Sequence, residues 1–259
     1  MIRAGIFSDT HCGHRAGLTP PEYQSGGRKW VYRQSEKWDW FINILKDIGK
    51  LDAAIWLGDL PDGQGVRNAS ETIIPNLNRQ INCCVDVIET VNCKENFFLY
   101  GTCVHVTSKE GIDLEYEIAK QVTGKQDPNI SDEMKIQFGN HILNCRHQPA
   151  GKSHVPHTRA NPIQRERMAD EQWYLDNQEV EVLSDIYLRG HLHYMATAGI
   201  PNRWQGFNVP ALQSPHTKYG ARTLSNVVHC GFCVLESDGS WPILKVYEAP
   251  RERRTVLKF

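Results

Sequence analysis

The sequence has no long apolar run, no strong excess of one charge and no repetitive segment. No hydrophobic stretch approaches the roughly 20 residues that a membrane-spanning helix needs, so we expect no membrane association. The 29 basic and 30 acidic residues leave a formal net charge of −1, which gives no overall positive field for nucleic acid but is compatible with a local basic patch. No Gly/Ser linker divides the chain. We therefore expect residues 1–259 to form a single domain.

Cysteine is present, but it lacks the pattern of a disulfide framework. The eight cysteines are scattered and several lie within apolar runs. Residues 1–7 resemble a strand and lack the apolar segment of a secretion signal. We therefore expect free thiols and a cytoplasmic location. Cys230 and Cys233 have the spacing of a metal-ligand pair, but no second pair accompanies them, so no structural zinc site is expected there.

Four apolar runs each end in aspartate or histidine. The first, residues 3–8, leads into Asp9 and His11, which would point the same way on an extended strand end. The three later runs deliver Asp59, His147, and the pair His191 and His193. In open α/β sheets, sites form beyond the carboxyl ends of the strands. Aspartate and histidine suit divalent cations, and six such residues divide well between two cations, with Asp59 as a bridging ligand.

The order of predicted elements favours an α/β protein whose C-terminal part is antiparallel. Short buried strands alternate with helical apolar spacing in the first half, which predicts parallel βαβ units. Helices are predicted over residues 35–48, 75–91 and 161–175, and in a segment that contains Leu114 and Val122. Gly139-Asn140 predicts a β-hairpin. Further strands are predicted near residues 194–198, 204–209, 227–236 and 241–248.

Two polar segments carry basic and aromatic side chains. Arg28, Lys29, Trp30, Tyr32 and Arg33 follow the loop 14–27, and Lys152, His154, His157 and Arg159 lie in the loop 148–161. A cationic, aromatic rim suits a phosphorylated substrate, and the alternative is a solvated loop over apolar surface. Asp62 has two interpretations as well, an acid behind the ligands or an ordinary turn residue, and its position between Pro61 and Gly63 favours the turn.

These motifs resemble those of the calcineurin-like metallophosphoesterases. Asp9-Thr10-His11, Gly58-Asp59, His147 and Gly190-His191-Leu192-His193 are similar to four of the family's five blocks. The resemblance implies a four-layer αββα sandwich, with two mixed sheets flanked by helices and the C-terminal strands closing the second sheet. It also implies two divalent ions, with Mn²⁺, Fe, Zn²⁺ and Ni²⁺ as candidates. The implied ligands are Asp9, His11 and His193 for one ion, His147 and His191 for the other, and Asp59 for both.

The third block departs from the family pattern of Gly-Asn-His followed by Asp or Glu. Here it reads Gly101-Thr102-Cys103-Val104-His105, a form similar to that of phage-associated members. Thr102 replaces the asparagine that binds the second metal in the family, and a hydroxyl is a weaker ligand than an amide oxygen. Thr102, a water or His105 could complete that metal site. His105 has two further interpretations, as the general acid that protonates the leaving group or as a structural histidine.

The resemblance implies a metal-dependent phosphoesterase that hydrolyses a phosphate ester by attack of a metal-bound hydroxide. The two basic segments favour a phosphodiester, with nucleic acid among the candidate substrates, over a phosphomonoester. One alternative is a catalytically impaired relative that binds nucleic acid or protein. The altered third block supports it, whereas the two histidines of Gly-His-Leu-His argue against it. A zinc-dependent amide hydrolase is a further alternative. The sequence leaves the substrate, the native metal and the oligomeric state open.

Overall fold

Most of the chain is described by a computed structural model, which covers residues 1–65, 69–108, 111–151, 153, 155–179, 181–215, 217–218, 220 and 228–251. Lys152, His154 and Val227, to which the sequence analysis assigns a loop and a strand end, lie outside the described residues. Within the described ranges, no helix has both the length and the apolar character that crossing a bilayer requires.

One sheet has six strands, and its centre is parallel. The strands, in order across the sheet, are β11 (Ile243–Glu248), β10 (Gly231–Ser237), β1 (Ile2–Phe7), β2 (Ala53–Trp56), β3 (Glu95–Leu99) and β4 (Ile130–Ser131). Phe7 pairs with Trp56, and Trp56 pairs with Phe98. Because these paired residues lie at or next to the ends of their strands, β1, β2 and β3 end at the same edge of the sheet.

The second sheet has five strands and is also mixed. The strands, in order across the sheet, are β5 (Glu133–Phe138), β6 (His141–Arg146), β7 (Ile186–Arg189), β9 (Trp204–Asn208) and β8 (Ala196–Ile200). Phe138 pairs with His141 across Gly139-Asn140, which confirms the predicted hairpin. β6 and β7 are parallel, with Arg146 beside Arg189, so the residues after both strands leave the sheet together.

The helices complete four layers. In the described part of the chain they are α1 (Arg28–Ile48), α2 (Leu77–Val91), the single turn α3 (Cys103–Val106), α4 (Leu114–Thr123) and α5 (Asn161–Asp176). Apolar residues of α1, α2 and α4 pack with Phe7 and Trp56 on the outer face of the first sheet. Ile6 and Leu57 face Leu188 between the sheets, and Ile163 of α5 packs on Tyr187 of the second sheet. The expected αββα arrangement is confirmed.

Helix α1 begins seven residues before the predicted start at Ser35. Its N-terminal cap is Gly27, whose φ of 91° lies outside the helical range, so the helix begins after it. The residues that follow have ordinary helix propensity. Gln34 is buried and its side-chain amide donates to the carbonyl of Arg15 at 2.9 Å, which fixes this part of the helix to the loop before it. The basic residues from Arg28 to Arg33 therefore lie on a helix and do not form a loop.

The C-terminal strands close the second sheet only in part: β8 and β9 join it as expected, whereas β10 and β11 do not. β10 and β11 form a hairpin that pairs with β1 in the first sheet, for example Val234 with Gly5. β9 pairs parallel to β7 in the second sheet, with β8 antiparallel at the edge. The alternation of a strand sequence specifies which side chains share a face, but it does not specify which sheet the strand joins.

Candidate metal centre

The six residues predicted as ligands lie together where strands of both sheets end. Asp9 and His11 follow β1, Asp59 follows β2, His147 follows β6, and His191 and His193 follow β7. All are buried except His191, which is half-buried. Their ligand atoms form two groups, each with members within 4.8 Å of one another. One group is Asp9, His11 and His193, and the other is Asp59, His147 and His191.

The backbone that presents these side chains is left-handed, which the sequence does not reveal. Five of the six residues have positive φ: Asp9 (53°), His11 (44°), Asp59 (52°), His191 (64°) and His193 (52°). The expectation that Asp9 and His11 converge through extended-strand alternation is therefore wrong in its reason. Each such residue costs on the order of 1–3 kcal/mol. Cross-strand bonds offset this cost, since the amides of Asp9 and His11 donate to the carbonyls of Gly58 and Asp59 at 3.0 and 3.1 Å.

Asp9 joins the ends of the two sheets. Its Oδ1 lies 3.0 Å from His193 Nε2, and its Oδ2 accepts from the backbone amide of His191 at 3.0 Å and from the Ser8 hydroxyl. Burial alone would raise the pKa of Asp9, but the charge and hydrogen bond of His193 outweigh it and hold that pKa well below its usual range. A Cβ on Gly190 would lie 2.1 Å from Ser8 Oγ, so this approach needs glycine.

The imidazole of His11 is buried with neither ring nitrogen hydrogen-bonded. Its nearest carboxylate oxygens belong to Asp9 at 3.8 Å and Asp62 at 3.7 Å. Burial and the nearby His105 hold the pKa of His11 well below its usual value, so the ring is neutral. A buried, unbonded polar nitrogen is costly in a protein interior, and a neutral imidazole is the form that binds metals. Asp62 is fully buried and faces this ring, which corrects its interpretation as an ordinary turn residue.

Asp59 and Thr102 form the centre of the second group. Asp59 Oδ2 lies 3.1 Å from His147 Nε2, and the Thr102 hydroxyl donates to the same oxygen at 2.8 Å. The hydroxyl oxygen is also 3.4 Å from His147 Nε2 and 3.5 Å from His191 Nδ1. His147 Nδ1 lies 2.5 Å from the carbonyl of Leu57. Because a carbonyl only accepts, Nδ1 carries the proton and Nε2 is directed at the site.

The charges of this second group are tightly linked. Burial would raise the pKa of Asp59, but the charge of His147 holds it well below its usual range. Burial would lower the pKa of His147, but Asp59 raises it to about 10. The pocket thus favours positive charge next to Asp59, as a cation site requires.

His105 lies at the site, on the single-turn helix α3. This helix is not predicted from the sequence. Its Nδ1 is 2.8 Å from the backbone carbonyl of Asp62, so that nitrogen carries a proton. Its ring is 4.6 Å from that of His11, edge to face. His105, His11 and Asp59 each offer a ligand atom within 4.8 Å of the others. Asp59 therefore lies within reach of members of both ligand groups.

A buried acid that is not identified from the sequence binds the backbone next to Asp59 and Thr102. Glu115 is fully buried, and its two carboxylate oxygens accept the backbone amides of Leu60 at 3.0 Å and Gly101 at 2.6 Å. Burial and then the charge of Asp59 raise the pKa of Glu115 to about 8. The acids at this edge therefore repel one another, and a bound cation would relieve that repulsion.

Arginines of both basic segments lie over aromatic rings. The guanidinium groups of Arg15 and Arg33 lie 4.4 and 5.1 Å from the ring of Trp30. Arg159 lies 4.7 Å from the ring of Tyr194, the residue after His193. Aromatic faces thus hold one guanidinium group beside Tyr194, which follows His193 in the chain, and two beside Trp30.

The donor set fits divalent metal ions. Carboxylate oxygens and neutral imidazole nitrogens suit Mn²⁺, Fe²⁺, Zn²⁺ and Ni²⁺, and the unbonded nitrogens of His11 need a partner of this kind. Two three-residue groups with Asp59 beside both have the ligand count that a two-metal site needs.

The fold is shared with solved structures of low sequence identity, which agrees with the fold that the resemblance implies. Vps29 from Chaetomium thermophilum is similar over 96% of this chain and 100% of its own, with a TM-score of 0.51 and 11% identity. An archaeal phosphodiesterase is similar over 95% and 100% of the two chains, with a TM-score of 0.47 and 12% identity. For the phosphoesterase YfcE from E. coli the shares are 92% and 90%, with a TM-score of 0.45 and 14% identity. No protein-family model and no curated protein matches the sequence.

Proposed function

We propose that this protein is a metal-dependent phosphoesterase whose active site is the cluster at the strand ends. The observation that carries the proposal is the pair of ligand groups with Asp59 within reach of both. All members except the half-buried His191 are buried, and the groups combine carboxylates with imidazoles, of which His193 and His147 have a nitrogen within 3.1 Å of a carboxylate oxygen. This is the arrangement that two divalent ions need to act on one phosphate.

The ligand roles follow the two groups. Asp9, His11 and His193 would hold one ion, His147 and His191 would hold the other, and Asp59 would bind both. The hydroxyl of Thr102 would be a further oxygen ligand for the ion that His147 and His191 hold. Two divalent ions bound here would polarise a phosphate ester and make a water molecule nucleophilic at neutral pH. We propose two divalent ions, with Mn²⁺, Fe, Zn²⁺ and Ni²⁺ as the candidate metals.

His105 is proposed as the general acid. Its Nδ1 donates to the carbonyl of Asp62 at 2.8 Å, which leaves Nε2 to carry the proton that the leaving oxygen takes. The ring is half-exposed and next to His11, so it lies at the rim where substrate enters. Imidazole is the side chain that most often serves as a general acid in enzymes.

The proposed substrate is a phosphodiester, with nucleic acid as a candidate. A diester has a substituent on each side of the phosphorus, and two separate basic segments of the chain carry guanidinium groups held on aromatic rings. Arg33 and Trp30 are beside the loop after His11, and Arg159 is beside Tyr194. Guanidinium groups on aromatic faces suit phosphate and base contacts. We also propose a single domain over residues 1–259 and a cytoplasmic location.

The test compares a chromogenic diester with the corresponding monoester after metal removal. Chelation should abolish turnover, Mn²⁺ should restore it, and the diester should react faster than the monoester with Mn²⁺, Ni²⁺, Zn²⁺ or Mg²⁺. Asp59→Asn should not recover with any metal, whereas Asp127→Asn, which changes an exposed acid, should behave as the wild type. Full turnover after verified removal of metal would contradict the proposal.

A catalytically impaired binding relative is the second candidate, because Thr102 stands where the family's ligand is an amide. Its hydroxyl donates to Asp59 at 2.8 Å, so it is already engaged. Metal content discriminates between the two functions. An impaired relative should purify with well under one ion per chain, whereas a phosphoesterase should take up two.

A further inference from the structure

Glu115 is a fully buried acid that is neither a proposed metal ligand nor the proposed general acid. It is the second residue of α4, a helix that carries none of the six predicted metal ligands. One carboxylate oxygen accepts the amide of Leu60 at 3.0 Å and the other accepts the amide of Gly101 at 2.6 Å. These amides lie directly after Asp59 and directly before Thr102. A single side chain thus joins the segments that follow β2 and β3.

The two joined segments are already in close contact. A Cβ on Gly101 would lie 2.2 Å from the amide nitrogen and 2.3 Å from Oδ1 of Asp59. The amide of Thr102 donates to Asp59 Oδ1 at 2.6 Å, and its hydroxyl donates to Oδ2 at 2.8 Å. The direction of the Asp59 carboxylate therefore depends on where Thr102 lies, and Glu115 fixes Gly101 beside it.

We infer that Glu115 is a positioning residue that sets Asp59 and Thr102 for the second metal position. The inference rests on the proposed two-metal function. Within the described residues, no group of ligand atoms close enough to share an ion includes Glu115, so it acts through Asp59 and Thr102. Both of its oxygens accept N–H groups. A glutamine at this position would offer one acceptor and one donor, and one of the two amides would face an NH₂ group.

The expected effect is selective. Mutation of a residue that hydrogen-bonds a metal ligand typically changes metal affinity by about 10–100-fold. Glu115→Gln should weaken the site of Asp59, His147 and His191 by that factor. The site of Asp9, His11 and His193 shares only Asp59 and backbone bonds with the joined segments, so it should lose less affinity. A merely structural role would lower the melting temperature without this selectivity.

The experiment is Mn²⁺ calorimetry on the full-length chain, with electron paramagnetic resonance of the loaded protein as a second readout. Asp113→Asn is the matched control, because it removes a carboxylate from the same helix end. Asp113 caps α4 by accepting from the amide of Tyr116 at 2.9 Å, and asparagine caps equally well. Two ions that share a carboxylate bridge give a spin-coupled spectrum, which Glu115→Gln should weaken and Asp113→Asn should leave intact.

Selective loss of one site in Glu115→Gln, with Asp113→Asn unchanged, supports the inference. Unchanged affinities and spectrum in Glu115→Gln overturn it, whatever happens to the melting temperature. If the wild type binds none of Mn²⁺, Zn²⁺ and Ni²⁺, the proposed function fails and the inference fails with it; unchanged sites in Glu115→Gln overturn the inference alone. Should Glu115→Gln not fold, Glu115→Asp gives the same test, because the shorter carboxylate cannot reach both amides.

Discussion

Replacing Arg189 by methionine should lower the free energy of unfolding by about 3–5 kcal/mol. Arg189 ends β7 and is 1% exposed, and its Nε lies 2.5 Å from Oε2 of Glu166 on α5. Its other guanidinium nitrogens donate to the carbonyl of Asn144 at 2.8 Å and to the Asn144 side chain at 2.7 Å. Methionine fills similar space but leaves the Glu166 carboxylate buried without its cation.

The magnitude comes from the unpaired charge. Glu166 is 7% exposed, so water cannot replace the lost guanidinium, and breaking a buried pair from one side costs about 3–5 kcal/mol. For a chain of this size each kcal/mol lowers the melting temperature by roughly 2–4 °C. The expected drop is therefore roughly 6–20 °C, measured on metal-free protein so that ligand binding does not contribute.

The assay is urea and thermal unfolding of three variants. Arg203→Met changes an exposed arginine and should stay within about 0.5 kcal/mol of the wild type. The double variant Arg189→Met with Glu166→Leu removes both charges and should be more stable than Arg189→Met alone. A loss below about 1 kcal/mol in Arg189→Met, or a double variant less stable than the single one, would refute the reasoning.

Three further predictions concern the site and its supports. Asp59→Asn should lower metal content and turnover more than His147→Ala does, because in the proposed site Asp59 would bind both ions; equal loss of turnover with unchanged metal content in both variants would show that it does not bridge. His105→Ala should retain its metal but slow turnover, most for substrates with poor leaving groups, whereas loss of an ion would make His105 a ligand. Glu71→Gln should lower the free energy of unfolding at pH 7 by up to about 3 kcal/mol. Burial would raise the pKa of Glu71, but the hydrogen bond of His14 and other partners lower it from 4.5 to about 2. This contribution is present above pH 4.5 and is lost as the pH falls toward 2, so unfolding curves of the variant and the wild type should converge there; a gap that persists at pH 2 would contradict it.

The edge of the sheets was predictable because buried strands have sharp sequence boundaries. A run such as residues 53–57 is apolar on both faces, so the first polar residues after it, Gly58 and Asp59, mark where the strand leaves the core. Parallel strands end at one edge, and the ligands therefore fall together whatever the loops do. The residue types alone then indicate the kind of ligand.

The supporting residues were not predictable, for two physical reasons. An acid in the first turn of a helix is favoured by the helix dipole at the surface, so nothing in the sequence distinguishes the buried Glu115 from an exposed one. The left-handed backbone of Asp9 and His11 is imposed by bonds to the loop after β2, which are tertiary contacts. The pairing of β10 with β1 is likewise a tertiary choice.

The site lies between the sheets, and this location links its geometry to the packing of the core. Asp9 and Asp59 come from the first sheet and meet His193 and His147 of the second at 3.0 and 3.1 Å. Below them, Ile6 and Leu57 pack against Leu188 in the apolar layer between the sheets. Any shift of one sheet against the other would move carboxylates relative to imidazoles, so the core packing sets the distance between the ligand groups. Ions bound by both sheets would in turn stabilise that packing, because they bind the folded chain and not the unfolded one.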